Sequence, residues 1–400
     1  MMAVNYWHIL VASLLLFSMA FAVENYFTIV PKYSVGVSMV MLVFLLLAGA
    51  ARINVRRLTE TSRWLGIRLP VLILSFGFVI GIYKLDDTYP VYFLGDIYVI
   101  AQFIPIGLIF SIKGIEKHAD RIFWGYLASI VIISVAKFYF SYTKYYADVN
   151  RFIPFDNLLV IACAWFAFHR LKVLPFIVLS VFLLLSAMSG MRLGFFLSLL
   201  MTMLVMFTAR RKILSLNRVT LAVFALVVLA AVNLSAMSSF KTIDRLAGAY
   251  QFEAEEMIST TSRFGEASAA IKEQMNNPVF NIVLGNGHGA LYREYIFWDL
   301  EVNMTQKGTH NIHISPALFF FRYGLLGLAW YLMVLLYAVS RAKRVVFPGK
   351  GEAANDCMAI SSLYLCSMLL SSFLGQNNFI YMDIPVMLYL TGIYEGRAHV

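Results

Sequence analysis

Charge is what this sequence has least of. Asp, Glu, Lys and Arg make up 14% of its 400 residues, where a soluble globular domain carries about 25%. Too few polar side chains are present to cover a water-facing surface, so a soluble fold is excluded. Cysteine is scarce as well. Cys163, Cys357 and Cys366 all fall in apolar runs, which leaves them as small core residues and excludes a disulfide framework. Internal repeats are missing, as are a Walker loop, a G-x-G-x-x-G turn and an H-E-x-x-H pair. Strand-like alternation of polar and apolar residues is missing too, which excludes a membrane barrel.

What the chain has instead is apolar length. Hydrophobic residues make up 60% of it, and the mean hydropathy is +0.76. Runs of spanning length recur throughout, so the expected fold is an all-α polytopic membrane protein, residues 1–400 forming a single transmembrane domain. Twelve spans are predicted: 7–23, 34–51, 69–83, 93–112, 122–142, 152–168, 173–188, 193–208, 219–237, 317–340, 357–374 and 380–394. The first ends in Ala20-Phe21-Ala22, a small-x-small cleavage pattern, but nothing basic precedes its core, so it is read as a retained anchor.

The net charge of +10 invites a nucleic-acid reading, but its distribution points elsewhere. Basic residues sit in short links between spans: Arg52, Arg56, Arg57, Arg63 and Arg68 in one, Arg210, Arg211 and Lys212 in another, Arg341, Lys343 and Arg344 in a third. Positive-inside sorting then puts both termini in the cytoplasm, and no nucleic-acid partner is expected. The long loop 238–316, between the ninth and tenth spans, faces outward.

That loop gathers the chain's polar chemistry, with fifteen charged residues. Residues 243–272 mix apolar and charged positions at helical spacing, and Asn276-Asn277-Pro278 breaks the pattern. One or two amphipathic helices at the membrane face are expected. Ser315-Pro316 reads as an N-cap and first-turn pair. This places His310 and His313 just before a helix N-terminus, which favours anions. Either histidine can act as a general base or serve only as a loop hydrogen-bond partner. Their spacing, with His288 near, invites a metal, but the loop holds no cysteine and none is expected. The turn from Gly285 to Gly289 shows only tight backbone geometry.

Ionisable groups in apolar runs are functional candidates by default. Arg192, after Ser189-Gly190-Met191, either snorkels at a helix end or presents its planar fork to a lipid-linked phosphate. Arg322 and Lys137 carry the same two readings. Asp96 and Gln102 satisfy each other or a neighbouring helix, and no role is assigned to them. Arg245 and Arg263 belong to the loop's helical part, with Glu266 following Arg263.

In feature order, residues 150 to 345 resemble the O-antigen polymerase/O-antigen ligase superfamily of bacterial envelope enzymes. The resemblance is carried by Ser189–Arg192, Ser262-Arg263-Phe264, Asn277-Pro278, Leu284-Gly285-Asn286-Gly287, and Thr309-His310-Asn311 leading to Tyr323-Gly324-Leu325-Leu326-Gly327. Arg151-Phe152 through Asn157 is a weaker signature. The ligase-type pattern sets a histidine, usually followed by Asn, Ser or Gln, nine residues before G-x-x-G. His313 has the spacing and His310 the following asparagine, so both are carried forward.

The resemblance implies a GT-C-like architecture in the bacterial inner membrane, with the site facing the periplasm. It implies metal-independent, cofactor-free polymerisation of oligosaccharide repeats linked to undecaprenyl pyrophosphate. Arg192, Arg263, Arg322 and Arg245 would bind the pyrophosphate, and His313, His310, Arg263 and Glu266 would carry the catalysis. Membrane lipid, chain-length regulator and flippase proteins would be partners. A ligase transferring the glycan to lipid A core uses the same residues. A lipid-linked oligosaccharide flippase should show repeated halves, which this sequence lacks.

Overall fold

A computed structural model describes residues 53–54, 60–84, 90–145, 157–170, 172–188, 192–209, 254–292, 310, 312–348, 355–373 and 383–398. The first, second and ninth predicted spans lie outside them, and the side chains of Lys137 and Arg192 are also outside the description. In chain order the helices are α1 (Thr61–Tyr83), α2 (Pro90–Ala101), α3 (Phe103–Ile109), α4 (Ala119–Tyr145) and α5 (Asn157–His169). They continue as α6 (Val173–Met188), α7 (Arg192–Thr208), α8 (Ala254–Asn276) and α9 (Val279–Leu284). The last are α10 (Ser315–Val346), α11 (Asp356–Ser371) and α12 (Asp383–Ala398).

The protein is helical. Among the described residues there is no strand, only an isolated bridge between Ile53 and Ile112. Three helices there are long and apolar enough to cross a membrane: α1, the stretch Tyr92–Ile109 spanning α2 and α3, and α10. The chain divides into two compact units, residues 1–45, 117–253 and 341–367 in one and residues 46–116, 254–340 and 368–400 in the other.

In the first unit α5 packs against α6 and α7. Its residues from Leu158 to Phe168 are buried nearly all round, as befits a helix apolar on every side. One end of this group is clasped by Asp356, the first residue of α11. Its carboxylate accepts from Trp165 Nε1 at 2.9 Å and from the Arg170 guanidinium at 3.0 and 3.1 Å. His169 stacks on the Trp165 ring at 3.8 Å and meets Thr208 Oγ1 at 2.7 Å.

The second unit is organised by a π-turn, Trp64–Arg68, inside α1. Here the Leu69 amide bonds to the Trp64 carbonyl, five residues back. The Leu65 carbonyl would then look to residue 70, which is a proline and has no N–H. Trp330 Nε1 fills that vacancy from α10 at 2.7 Å. Gly66 and Gly107 leave room for the Tyr389 phenol of α12, which donates to the Phe103 carbonyl at 2.7 Å. Arg63, read from the sequence as one basic residue of a cytoplasmic link, is fully buried. Its guanidinium donates to the Phe110 carbonyl and Ser62 Oγ, reaches Glu60, and lies over the Tyr389 ring. A buried cation needs such partners, and the turn's geometry brings them close.

Candidate functional site

The site is built where α10 bends. At Gly324 the backbone takes φ 60° and ψ −153°, a conformation open in practice to glycine alone. The bend interrupts the helical ladder, and carbonyls on its N-terminal side need new donors. The turn after α9 supplies them. Asn286 donates its amide N and its Nδ2 to the Phe321 carbonyl, each at 3.1 Å, and Gly287 N donates to the Arg322 carbonyl at 2.9 Å. Gly285 and Gly287 both have φ 86°. A Cβ at Gly285 would strike the Arg322 carbonyl, and one at Gly324 the Val283 carbonyl. The turn's own side is held by an amide hub, because Asn286 Oδ1 accepts from Lys84 Nζ, Asn277 Nδ2 and Asn281 Nδ2 at 3.0, 3.2 and 3.3 Å. Asn286 Nδ2 also donates to Gln274 Oε1 at 2.5 Å.

The same turn reaches two membrane-length helices. His288 N donates to the Gly77 carbonyl of α1 at 3.1 Å, and Gly289 N donates to Asp96 Oδ2 of α2 at 2.7 Å. The imidazole of His288 lies where Gly77 has no side chain. Its Nδ1 is 3.1 Å from the Tyr323 hydroxyl. Burial pushes this imidazole down to about 4, against the partial offset of the Asp96 carboxylate, because charging it would cost hydration.

Asp96 and Arg322 form a buried ion pair between α2 and α10, with 2% and 4% of their side chains exposed. The second Arg322 nitrogen, Nη2, lies 2.8 Å from His310 Nε2 and donates to the His310 carbonyl at 2.9 Å. A guanidinium can only donate. His310 Nε2 accepts from Arg322 when the ring carries its proton on Nδ1, and the same nitrogen lies 3.4 Å from the Asp96 carboxylate, to which it donates in the other tautomer. Tyr92 stacks on this ring at 4.1 Å, nearly parallel. Arg322, expected to face a substrate anion, is thus engaged by Asp96 and His310.

His313 has a different environment. Its Nδ1 is 2.7 Å from Glu266 Oε2 of α8, with the histidine side chain 41% exposed and the glutamate 11%. A carboxylate accepts, so Nδ1 carries the hydrogen and Nε2 is left as the ring's proton acceptor. The pair sits just before the start of α10. Ser315 is the first residue of that helix rather than its side-chain cap. Its Oγ has no hydrogen-bond partner among the described residues, and its amide donates to the Ser372 carbonyl at 3.0 Å.

Of the residues singled out in the sequence, Arg263, Glu266, His310, His313 and Arg322 belong to one unit. Two contacts join four of them: Glu266 to His313 and Arg322 to His310. Arg263 is half-buried one turn before Glu266 on α8. Arg192 opens α7 in the other unit. Arg245 lies outside the described residues, as do residues 151–156 of the weaker signature that runs from Arg151 through Asn157. Among the described residues, no group of three or more His, Cys, Asp or Glu is arranged to hold a metal.

Four contributors carry no role in the sequence reading: Asp96, Tyr92, His288 and Asn286. Asp96 had a signal, since a lone carboxylate in an apolar run needs a cation and Arg322 is an arginine in another such run. Gln102, paired with Asp96 in one expectation, donates instead to the Val99 carbonyl at 3.2 Å. No protein-family model matches the chain, and no curated protein matches it.

Proposed function

We propose that this chain is a membrane glycosyltransferase joining oligosaccharide repeats linked to undecaprenyl pyrophosphate, with His313 as its general base. The observation carrying the reading is the contact between His313 Nδ1 and Glu266 Oε2 at 2.7 Å on a half-exposed ring. A carboxylate on Nδ1 fixes the tautomer, orients the ring and stabilises the cation formed when Nε2 takes a proton. His310, 13% exposed and with its Nε2 held between the Arg322 guanidinium at 2.8 Å and the Asp96 carboxylate at 3.4 Å, is less open to an acceptor hydroxyl.

In the reaction, a hydroxyl oxygen of the acceptor repeat attacks the anomeric carbon of the donor. The bond from that carbon to the pyrophosphate oxygen breaks, and the pyrophosphate leaves with the electron pair. The hydroxyl proton passes to His313 Nε2. Charge on the leaving group is balanced by arginine. Arg263, on the same helix as Glu266, is the arginine assigned to it; Arg192 and Arg245 are candidates from the sequence alone. Arg322 acts as a positioning residue that holds His310 and the start of α10 against α2. The resemblance in motif order supports the substrate class, and the site would face the periplasm.

The test is the surface-polysaccharide ladder of a deletion strain complemented with His313→Ala, Glu266→Gln or Arg263→Ala. Loss of long chains at normal protein levels, with one repeat unit still attached, is the expected result. Bare core in place of a single repeat would identify the ligase. Full-length chains from His313→Ala would overturn the assignment of the base.

A further inference from the structure

The helices α8 and α9 fall in the segment read from the sequence as an extracytoplasmic loop, yet their burial is inside-out for a helix in water. Phe264, Ile271 and Met275, spaced by seven and four, share one face of α8, and all three are exposed. The inward side holds small or polar residues: Ala267, Ala270 and Gln274 are buried, and Arg263 and Glu266 are half-buried. The pattern continues through α9, where Val279 is 76% and Phe280 62% exposed, with Val283 one turn on. In water, a helix buries its large apolar residues and exposes its charged ones. Lys272, also exposed, has a stem long enough to reach a polar boundary, and the large apolar residues beside it point to an apolar medium outside.

Continuity identifies that medium. The turn after α9 is bonded to α1 through His288 N to the Gly77 carbonyl and through Lys84 Nζ to Asn286. Toward that same end, α1 exposes Val79, Ile82 and Tyr83, and α1 is long and apolar enough to cross a membrane. An apolar outer face on such a helix meets acyl chains. The turn that closes α9 joins it to that end of α1.

We infer that α8 from Phe264 onward, together with α9, is immersed in the outer leaflet of the bilayer, its Phe264–Met275 and Val279–Val283 faces against lipid acyl chains. The Glu266–His313 pair then lies on the protein side of a lipid-contacting helix, at leaflet depth rather than in bulk water. The inference concerns the bilayer alone and stands whether or not the chain transfers sugar.

Nitroxide labels test it on the full chain in phosphatidylethanolamine/phosphatidylglycerol vesicles. Met275→Cys, Val279→Cys and Val283→Cys are each placed in a background carrying Cys163→Ala, Cys357→Ala and Cys366→Ala. Leu336→Cys, on the exposed face of α10, is the lipid reference. The expected result is relaxation by oxygen matching the reference, with accessibility to a water-soluble nickel complex several-fold below its accessibility to oxygen. Labels reached by nickel would put the face in water, and labels reached by neither would put it under protein; either result overturns the inference. Should the cysteine-free background fail to fold, Phe280→Trp in the otherwise unaltered protein gives a second measure. Lipids brominated at shallow acyl carbons should quench more fluorescence than in the wild type, and no added quenching would overturn the inference.

Discussion

At the scale of single residues, the ionic cluster and the dyad should respond differently to the same kind of change. Asp96→Asn leaves Arg322 buried without its counter-charge, which costs about 3–5 kcal/mol. Thermal unfolding of the purified protein should show a large drop in midpoint, and adding Arg322→Met should recover much of it. Glu266→Gln keeps the shape of the side chain and an oxygen to accept from a half-exposed His313 ring, and should move that midpoint far less. It should instead slow transfer by roughly 10²-fold, since an oriented base contributes about 10²–10⁴-fold. His288 makes a third case. Its folded-state value of about 4 lies below the ordinary 6.5, so the unfolded chain binds the proton more readily. Stability is then complete above about pH 6.5 and is lost as pH falls toward 4, by on the order of 3 kcal/mol. His288→Asn should flatten unfolding midpoints across that window.

At the scale of elements, the bend in α10 and the turn after α9 form one object. The three bonds from Asn286 and Gly287 to the Phe321 and Arg322 carbonyls mean that neither keeps its shape alone. Gly324→Ala forces a φ of 60° on a residue with a Cβ and drives that carbon into the Val283 carbonyl. The backbone strain alone costs about 1–3 kcal/mol, and a lower yield of folded protein is expected. Gly95→Ala in α2 is the contrast, with no atom within 4 Å of the added carbon. It should raise stability by about 0.5–1 kcal/mol through helix propensity. The motif order marks Gly324 and not Gly95, but no local pattern in the sequence gives the reason. One is fixed by a neighbour thirty-nine residues earlier, Gly285, and the other has no neighbour at all.

At the scale of the whole chain, the basic links set the expected orientation, and fusions test it. A phosphatase joined after residue 300 should be active and one joined after residue 350 inactive, since an excess of Arg and Lys holds a link in the cytoplasm. The reverse pattern would turn the molecule over and put the His313 site on the wrong side for a periplasmic reaction. The candidate site itself is local, drawn from α1, α2, α8, α9 and α10. All the residues shown to touch there belong to one of the two units.

Helical character and apolar segments of spanning length were legible in the sequence alone, because both follow from a run of side chains that water solvates poorly. The positions of Arg322, Glu266, His310 and His313 were legible too, as polar groups set in or near apolar surroundings. Beyond the signal at Asp96, their pairing was not. Pairing depends on which helix faces meet, and those meetings rest on features of contact rather than of residue type: a proline that leaves the Leu65 carbonyl open for Trp330, and a glycine at 324 that opens two carbonyls for Asn286 and Gly287. The fold decided that Arg322 holds His310 and leaves His313 its Nε2, because a guanidinium donates wherever a ring nitrogen comes within reach.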